Sequence, residues 1–289
     1  HVRGARYTVP RIVREEILGR PAFRGGLAEI VDDLRSQGKD GVSVARLASE
    51  ASSYLKKIAA EHSPLVIDLV IQLIRWLYTR GYDETLVYDQ TALKNIAALE
   101  ERHPVVFLPT HKSNLDHLVL QYALHAHGLP PNHTAGGFNM NFFPLRPLIR
   151  LSGVFFIRRT FRDNRVYKHV LAHYIDYLID KRFPLEWYIE GGRSRSGKLL
   201  PPRFGLLANV VDSFRRGKSD DVYLVPVSIA YDQIQDLGSY VAEQRGGIKQ
   251  EEGFSWLVRW IRSLKRRYGQ IHIAFGEPLS LRQQLGDPT

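Results

Sequence analysis

From Tyr82 onward, short β-rich runs alternate with longer stretches of helical spacing. They are VVFLP then 113–128, VFFI then 164–181, LEWYI then 203–216, VYLVPVSIAY then 254–268, and last IHIAF. A helix after each strand carries the chain back to start the next strand in the same direction. The alternation therefore predicts an α/β fold, with a largely parallel central sheet flanked by helices on both faces. The residues before Tyr82 show no strand-like alternation. GGLAEIVDDLRSQG and VSVARLASEASSYLKKIAAEH carry apolar residues at helical spacing, broken by Lys39-Asp40-Gly41. The pattern divides the chain into a small helical N-terminal region, 1–81, and an α/β domain, 82–289.

The stretch PLVIDLVIQLIRWLYTRGY, 64–82, confines its polar residues Asp68, Gln72, Arg75 and Thr79 to one narrow stripe. It reads either as a helix buried against the rest of the fold or as one resting in a membrane interface. The sequence leaves both open. No run reaches the roughly 18 apolar residues that a membrane span needs. No signal peptide is visible, and the sequence opens at His1 rather than Met, as expected of a processed chain or a fragment. There is no cysteine, which excludes disulfides, thiol nucleophiles and thiolate metal sites.

The net charge is +10, and it is concentrated. Residues 144–218 hold sixteen Lys and Arg against six Asp and Glu, and the remainder is balanced. Such a field suits polyanions: nucleic acid, phosphorylated small molecules or an anionic membrane surface.

Ligands of open α/β sheets bind beyond the carboxyl ends of the strands, and three such ends carry reactive groups. The first is FLPTHKSNLDHLVL, 107–120. His111 follows the strand, with Thr110 between. Ser113 is placed to cap a helix beginning at Asn114, which would put Asp116 at the third helical position. Ser-x-x-Asp is also the pattern of a capping box, which would give the acid a purely structural use. The alternative is a pair. A histidine in the strand–helix turn can fold back so that Asp116 accepts one ring N–H, leaving the other nitrogen as a base for a substrate hydroxyl. His117, His125 and His127 read as surface or packing histidines. His111, Asp116 and His117 are possible ligands by residue type but do not have persuasive metal-ligand spacing, so no metal site is expected.

The second end is SGVFFIRRTFRDNR, 152–165, where strand alternation lets only one of Arg158 and Arg159 face a site; Arg158 is preferred. The third is LEWYIEGGRSRSGKLLPP, 185–202. Glu190 is expected to end a strand, Gly191 and Gly192 allow a tight turn, and Arg193, Ser194 and Arg195 follow. Backbone N–H groups and guanidinium forks in such a turn fit a phosphate. Gly192, Gly197 and Lys198 have P-loop spacing. Leu199 stands where a hydroxyl should hold magnesium, however, and Pro201 and Pro202 block the helix that should follow, so that reading fails. Aromatics interleave with these arginines at Phe155, Phe156 and Phe161, but no nucleic-acid module signature occurs and no nucleic-acid partner is expected.

Together these segments resemble the His-x4-Asp glycerolipid acyltransferase family. HKSNLD is similar to its first block, GVFFIRR to its second, EGGRSRSGKLLPP to its third and LVPVSIAYD, 224–232, to its fourth, with Pro226 at the marked position. The double glycine and RSRSGKLLPP are closer to the glycerol-3-phosphate and dihydroxyacetone-phosphate branch, whereas lysophosphatidate acyltransferases usually read EGTR. GGFNMNFFPLRPLIRLSG, 136–153, also looks like the glycerol-3-phosphate enzymes, departing from their pattern at Arg146 and Leu151.

The resemblance implies transfer of an acyl group from acyl-CoA or acyl-carrier protein to the sn-1 hydroxyl of glycerol 3-phosphate, giving lysophosphatidate, with no cofactor. His111 and Asp116 would be catalytic. Ser113, Arg158, Glu190, Gly191, Gly192, Arg193, Ser194 and Pro226 would bind substrate. Dihydroxyacetone phosphate or a lysophospholipid is the alternative acceptor, and a non-catalytic basic membrane- or nucleic-acid-binding protein is the alternative of another class. The expected location is peripheral, on the cytoplasmic face of the cell membrane, against anionic lipids. FNMNFFPLRPLI, 138–149, sets Phe142, Phe143 and Leu145 beside arginines, and either packs internally or forms a membrane edge.

Overall fold

The structure is a computed structural model describing residues 10–39, 41–137, 146–158, 164–194, 197–234, 258, 261–262, 264 and 267–288. Four helices come first: α1 (Pro10–Gly19), α2 (Pro21–Ser36), α3 (Val44–Ile58) and α4 (Pro64–Tyr78). α2 and α4 open on a proline, whose fixed φ suits the first turn and whose missing N–H is no loss there. Ser43 caps α3 by accepting the Arg46 N–H.

The remaining elements are β1 (Val87–Tyr88), α5 (Gln90–Glu100), β2 (Val105–Pro109), α6 (Asp116–Ala126), β3 (His133–Gly137), α7 (Arg146–Leu151), β4 (Val154–Ile157), α8 (Arg165–Asp180), β5 (Leu185–Glu186), α9 (Gly205–Arg215), β6 (Tyr223–Tyr231), β7 (Ile271–Phe275), β8 (Leu279–Ser280) and α10 (Leu281–Leu285). The described strands form one sheet in the order β1-β7-β6-β2-β5-β3-β4, with β8 also on β6. β1–β7, β2–β5, β2–β6, β3–β4 and β3–β5 are parallel; β6 runs antiparallel to β7 and β8. This is the mostly parallel α/β architecture that the alternation predicts.

Helices cover both faces because the strands are apolar on both. In β2, Val106 enters one core while Val105 and Phe107 enter the other. The first core gathers Phe23, Leu55, Tyr174 and Phe214 from α2, α3, α8 and α9. The second gathers Ile71, Leu93 and Val119 from α4, α5 and α6. Helices from before residue 82 thus share both cores with helices from after it.

α4 is buried along one face, as the first of its two readings expects. Ile67, Ile71, Ile74, Leu77 and Tyr78 are buried against the second core. On the other side Leu65, Leu69, Leu73 and Trp76 are 83%, 63%, 41% and 48% exposed. The helix is apolar on two faces, and among the described residues one of them is covered. Among the described residues, no helix is long and apolar enough to cross a membrane.

Two local expectations are corrected, the strand end at Glu190 and the helix start at Asn114, while β3 and Pro226 are explained by their neighbours in the sheet. β3 reads HTAGG, with no apolar alternation to signal a strand, and is a strand because β4 and β5 pair with it on either side. The third run does not stay in the sheet to Ile189: pairing ends at Glu186, so Glu190 lies in a turn rather than at a strand end. α6 begins at Asp116, and Ser113 belongs to the turn before it rather than to the helix N-cap. Pro226 sits inside β6, where a missing N–H should break a ladder. It is tolerated because β6 changes neighbours there: Tyr223 and Leu224 pair with β8, and pairing with β7 starts at Val227. Most of the helix expected over 254–268, together with Phe142, Phe143, Leu145, Arg159, Phe161 and Arg195, lies outside the described residues.

Candidate active site

The turn between β2 and α6 is built around Asp116, which is fully buried. Its Oδ2 accepts the backbone N–H groups of Lys112 at 2.6 Å and Ser113 at 2.8 Å. The same oxygen lies 3.0 Å from His111 Nδ1. Its Oδ1 accepts the Tyr231 hydroxyl at 2.6 Å. An acid receiving this many donors acts as an acceptor, so the proton between Asp116 and His111 sits on Nδ1. Nε2 is then the basic nitrogen of the neutral ring, and the His111 side chain is 22% exposed. Of the two readings of Ser-x-x-Asp the pair is the one formed: the carboxylate ties the turn before α6 and orients the imidazole, while Ser113 does not cap the helix.

Ser113 is fully buried, and its Oγ accepts the Leu115 N–H at 3.2 Å. Glu190 is likewise buried and joins the two turns. Its Oε1 accepts the His111 N–H at 3.1 Å and its Oε2 the Leu200 N–H at 2.8 Å. Ser194 N–H donates to the His111 carbonyl at 2.7 Å, and the Ser194 hydroxyl donates to the Lys198 carbonyl. The backbone of His111 is therefore gripped on both sides by the turn 190–194. Gly191 has φ +66°, and a Cβ there would come within 2.6 Å of Arg203 Cδ. Gly192 has no described atom within 4 Å of where a Cβ would stand. Arg193 is half-buried beside it.

Two expected residues stand apart from this cluster. The Arg158 guanidinium lies over the rings of Tyr54, at 5.2 Å, and Tyr167, at 5.5 Å. It follows β4, three strands or roughly 14 Å across the sheet from β2. Pro226 is exposed; its carbonyl accepts the Gly276 N–H at 2.8 Å, and it has no described contact with His111. The fourth segment reaches the pair through Tyr231, five residues further along β6.

Two tyrosines complete the site. Tyr188 lays its ring against His111, with centroids 4.1 Å apart. Burial, then the nearby charges of Glu186 and Asp116, push its hydroxyl well above the usual phenol range. Burial and the adjoining Asp116 do the same to Tyr231, so both stay protonated. Below Tyr188, the fully buried Glu186 takes hydrogen bonds from His117 Nδ1 at 2.9 Å, Gln121 Nε2 at 2.5 Å and Asn132 Nδ2 at 3.0 Å. His117 is thus a packing histidine with a carboxylate partner. Sequence reasoning missed Tyr188, Tyr231 and Glu186. The available signal was position: Tyr188 lies two residues before Glu190, and Tyr231 ends a strand adjacent to β2. Among the described residues no group of three His, Asp or Glu is arranged to hold a metal ion.

What the arrangement can do is remove a proton from a hydroxyl, through a base fixed in one tautomer beside a glycine- and arginine-bearing turn. Residues 90–230, which contain the pair and that turn, match the acyltransferase family model. Residues 240–288 match the C-terminal region of glycerol-3-phosphate acyltransferases. These two matches class the chain as an acyltransferase of glycerolipid synthesis. Among solved structures it is similar to the 1-acyl-sn-glycerophosphate acyltransferase PlsC of Thermotoga maritima. The identity is 17% and the TM-score 0.43, over 74% of this chain and 70% of that one.

Proposed function

We propose that the protein transfers a fatty acyl group from acyl-CoA or acyl-carrier protein to the sn-1 hydroxyl of glycerol 3-phosphate, releasing lysophosphatidate. The observation that carries this reading is the His111–Asp116 pair, its ring oriented by the buried carboxylate and its backbone held by the glycine- and arginine-bearing turn. His111 Nε2 takes the hydroxyl proton as the oxygen attacks the thioester carbonyl. The tetrahedral intermediate then expels the thiolate, which takes the proton back from the imidazolium. No acyl-enzyme forms. Arg193 and the backbone N–H of Gly192 hold the phosphate, while the Gly191 N–H closes the turn on the Tyr188 carbonyl; Arg158 adds a longer-range cation, and Glu190 and Ser194 keep the turn on the base. No cofactor takes part. The C-terminal match and the RSRSGKLLPP run support glycerol 3-phosphate as acceptor.

The same reading puts the protein on the cytoplasmic face of the cell membrane, against anionic lipids. Its support is the +10 charge and the exposed apolar row Leu65, Leu69, Leu73 and Trp76 on α4. The test is thiol release from palmitoyl-CoA with anionic vesicles present. It compares glycerol 3-phosphate, dihydroxyacetone phosphate and lysophosphatidate, with His111→Ala as control and acyl-carrier protein as second donor. Release that needs glycerol 3-phosphate and His111 upholds the proposal. Release with another acceptor overturns the substrate, and release that survives His111→Ala overturns the mechanism.

A further inference from the structure

We propose that Tyr231 is a positioning residue of the transfer reaction: its hydroxyl fixes the Asp116 carboxylate and sets how strongly that carboxylate holds a proton on His111. The inference rests on the transfer reading above and concerns the same site.

The geometry assigns a separate task to each Asp116 oxygen. Oδ2 already serves the turn and the imidazole through Lys112, Ser113 and His111. Oδ1 takes the Tyr231 hydroxyl at 2.6 Å, short enough for a strong bond to a carboxylate. A phenol donating there draws negative charge toward Oδ1 and away from the oxygen facing His111. Without it the carboxylate would hold an imidazolium more tightly, and the base would return its proton to the leaving thiolate less readily.

Tyr231 cannot easily turn aside. It ends β6, where its backbone pairs with Ile271. Its ring packs on Tyr82 at 5.4 Å, and Tyr82 is anchored by donating its hydroxyl to the Gln233 carbonyl at 2.9 Å. The hydroxyl is therefore already seated on Oδ1 before proton transfer begins.

Other described groups around the pair have contacts of their own. Glu190 accepts the His111 backbone N–H rather than the ring. Tyr188 stacks on the ring from β5's extension. Glu186, behind Tyr188, is occupied by His117, Gln121 and Asn132. Lys112 contributes its backbone N–H to the turn. Among these described contacts, Tyr231 supplies the side-chain donor to Oδ1. The fourth segment thus acts on the site through Tyr231, five residues past the exposed Pro226.

The test is Tyr231→Phe, which keeps the ring packing and removes only the hydroxyl. Two readouts are taken on the full chain with vesicles: the pH profile of kcat/KM, and titration of the His111 ring nitrogens by 15N NMR. We expect kcat to fall roughly tenfold, the acceptor KM to stay within about twofold, and both the acid limb and the His111 midpoint to rise by about half a unit. A fall in kcat with neither midpoint moved would make Tyr231 a packing residue and overturn the proposal, as would unchanged kinetics. If wild-type protein transfers to no acceptor, the transfer reading falls; the NMR titration then decides the coupling alone, a raised midpoint upholding it and an unmoved one overturning it.

Discussion

Replacing Asp116 by Asn separates the charge of the buried carboxylate from its geometry. Three donors converge on Oδ2, from His111, Lys112 and Ser113, so the amide oxygen of an asparagine must take that place. Its NH₂ then faces the Tyr231 hydroxyl, which can turn from donor to acceptor. The turn survives and His111 keeps its Nδ1 proton. What is lost is the attraction between the carboxylate and the imidazolium formed during proton transfer. Unit charges about 4 Å apart attract by about 4 kcal/mol at an effective dielectric of 20. At about 1.4 kcal/mol per tenfold, that places the ceiling near 10³. Because the His111 ring is 22% exposed, solvent screens part of it, and a fall in kcat of roughly 10²–10³ is expected. The acceptor KM should change little, and the melting temperature should drop by only a few degrees. Thiol release under saturating donor, with differential scanning fluorimetry alongside, reads all three quantities. A variant within about threefold of wild type would refute the base-plus-carboxylate reasoning. A large loss accompanied by unfolding would refute the claim that the turn tolerates a neutral acceptor.

Acid should weaken the fold through buried histidines. Burial lowers His62 and His173 to about 4 and holds His133 well below its ordinary 6.5. Their contribution is intact above 6.5 and is lost as pH falls toward 4, because the unfolded chain takes up the protons first. For His62 alone that is roughly 3 kcal/mol. Urea midpoints at pH 7.5 and 5.0 check this, the lower being expected at pH 5.0. Gly191→Ala should destabilise by about 1–3 kcal/mol, since it combines φ +66° with a contact on Arg203, whereas Gly192→Ala should leave the urea midpoint nearly unchanged. Leu69→Asp with Leu73→Asp should leave stability within about 1 kcal/mol, both being exposed, and abolish sedimentation with anionic vesicles. Undiminished vesicle binding would remove α4 from the membrane reading.

The sequence by itself determined the architecture and the principal pair. Strand–helix periodicity is a local signal, and it placed VVFLP, VFFI and IHIAF on strands that form at 105–109, 154–157 and 271–275. The five-residue step from His111 to Asp116 is also local, so their meeting across one turn could be foreseen. Tertiary structure decided the rest, because it depended on what lay across the sheet. HTAGG becomes a strand only through its neighbours, and Pro226 is harmless only because β6 changes partners beside it. Tyr231 is 115 residues from the carboxylate it bonds, and Glu190 is 79 from the backbone it holds. No spacing rule reaches that far. The α4 segment shows the same limit, since its periodicity revealed two apolar faces and only packing chose which one the protein itself would cover.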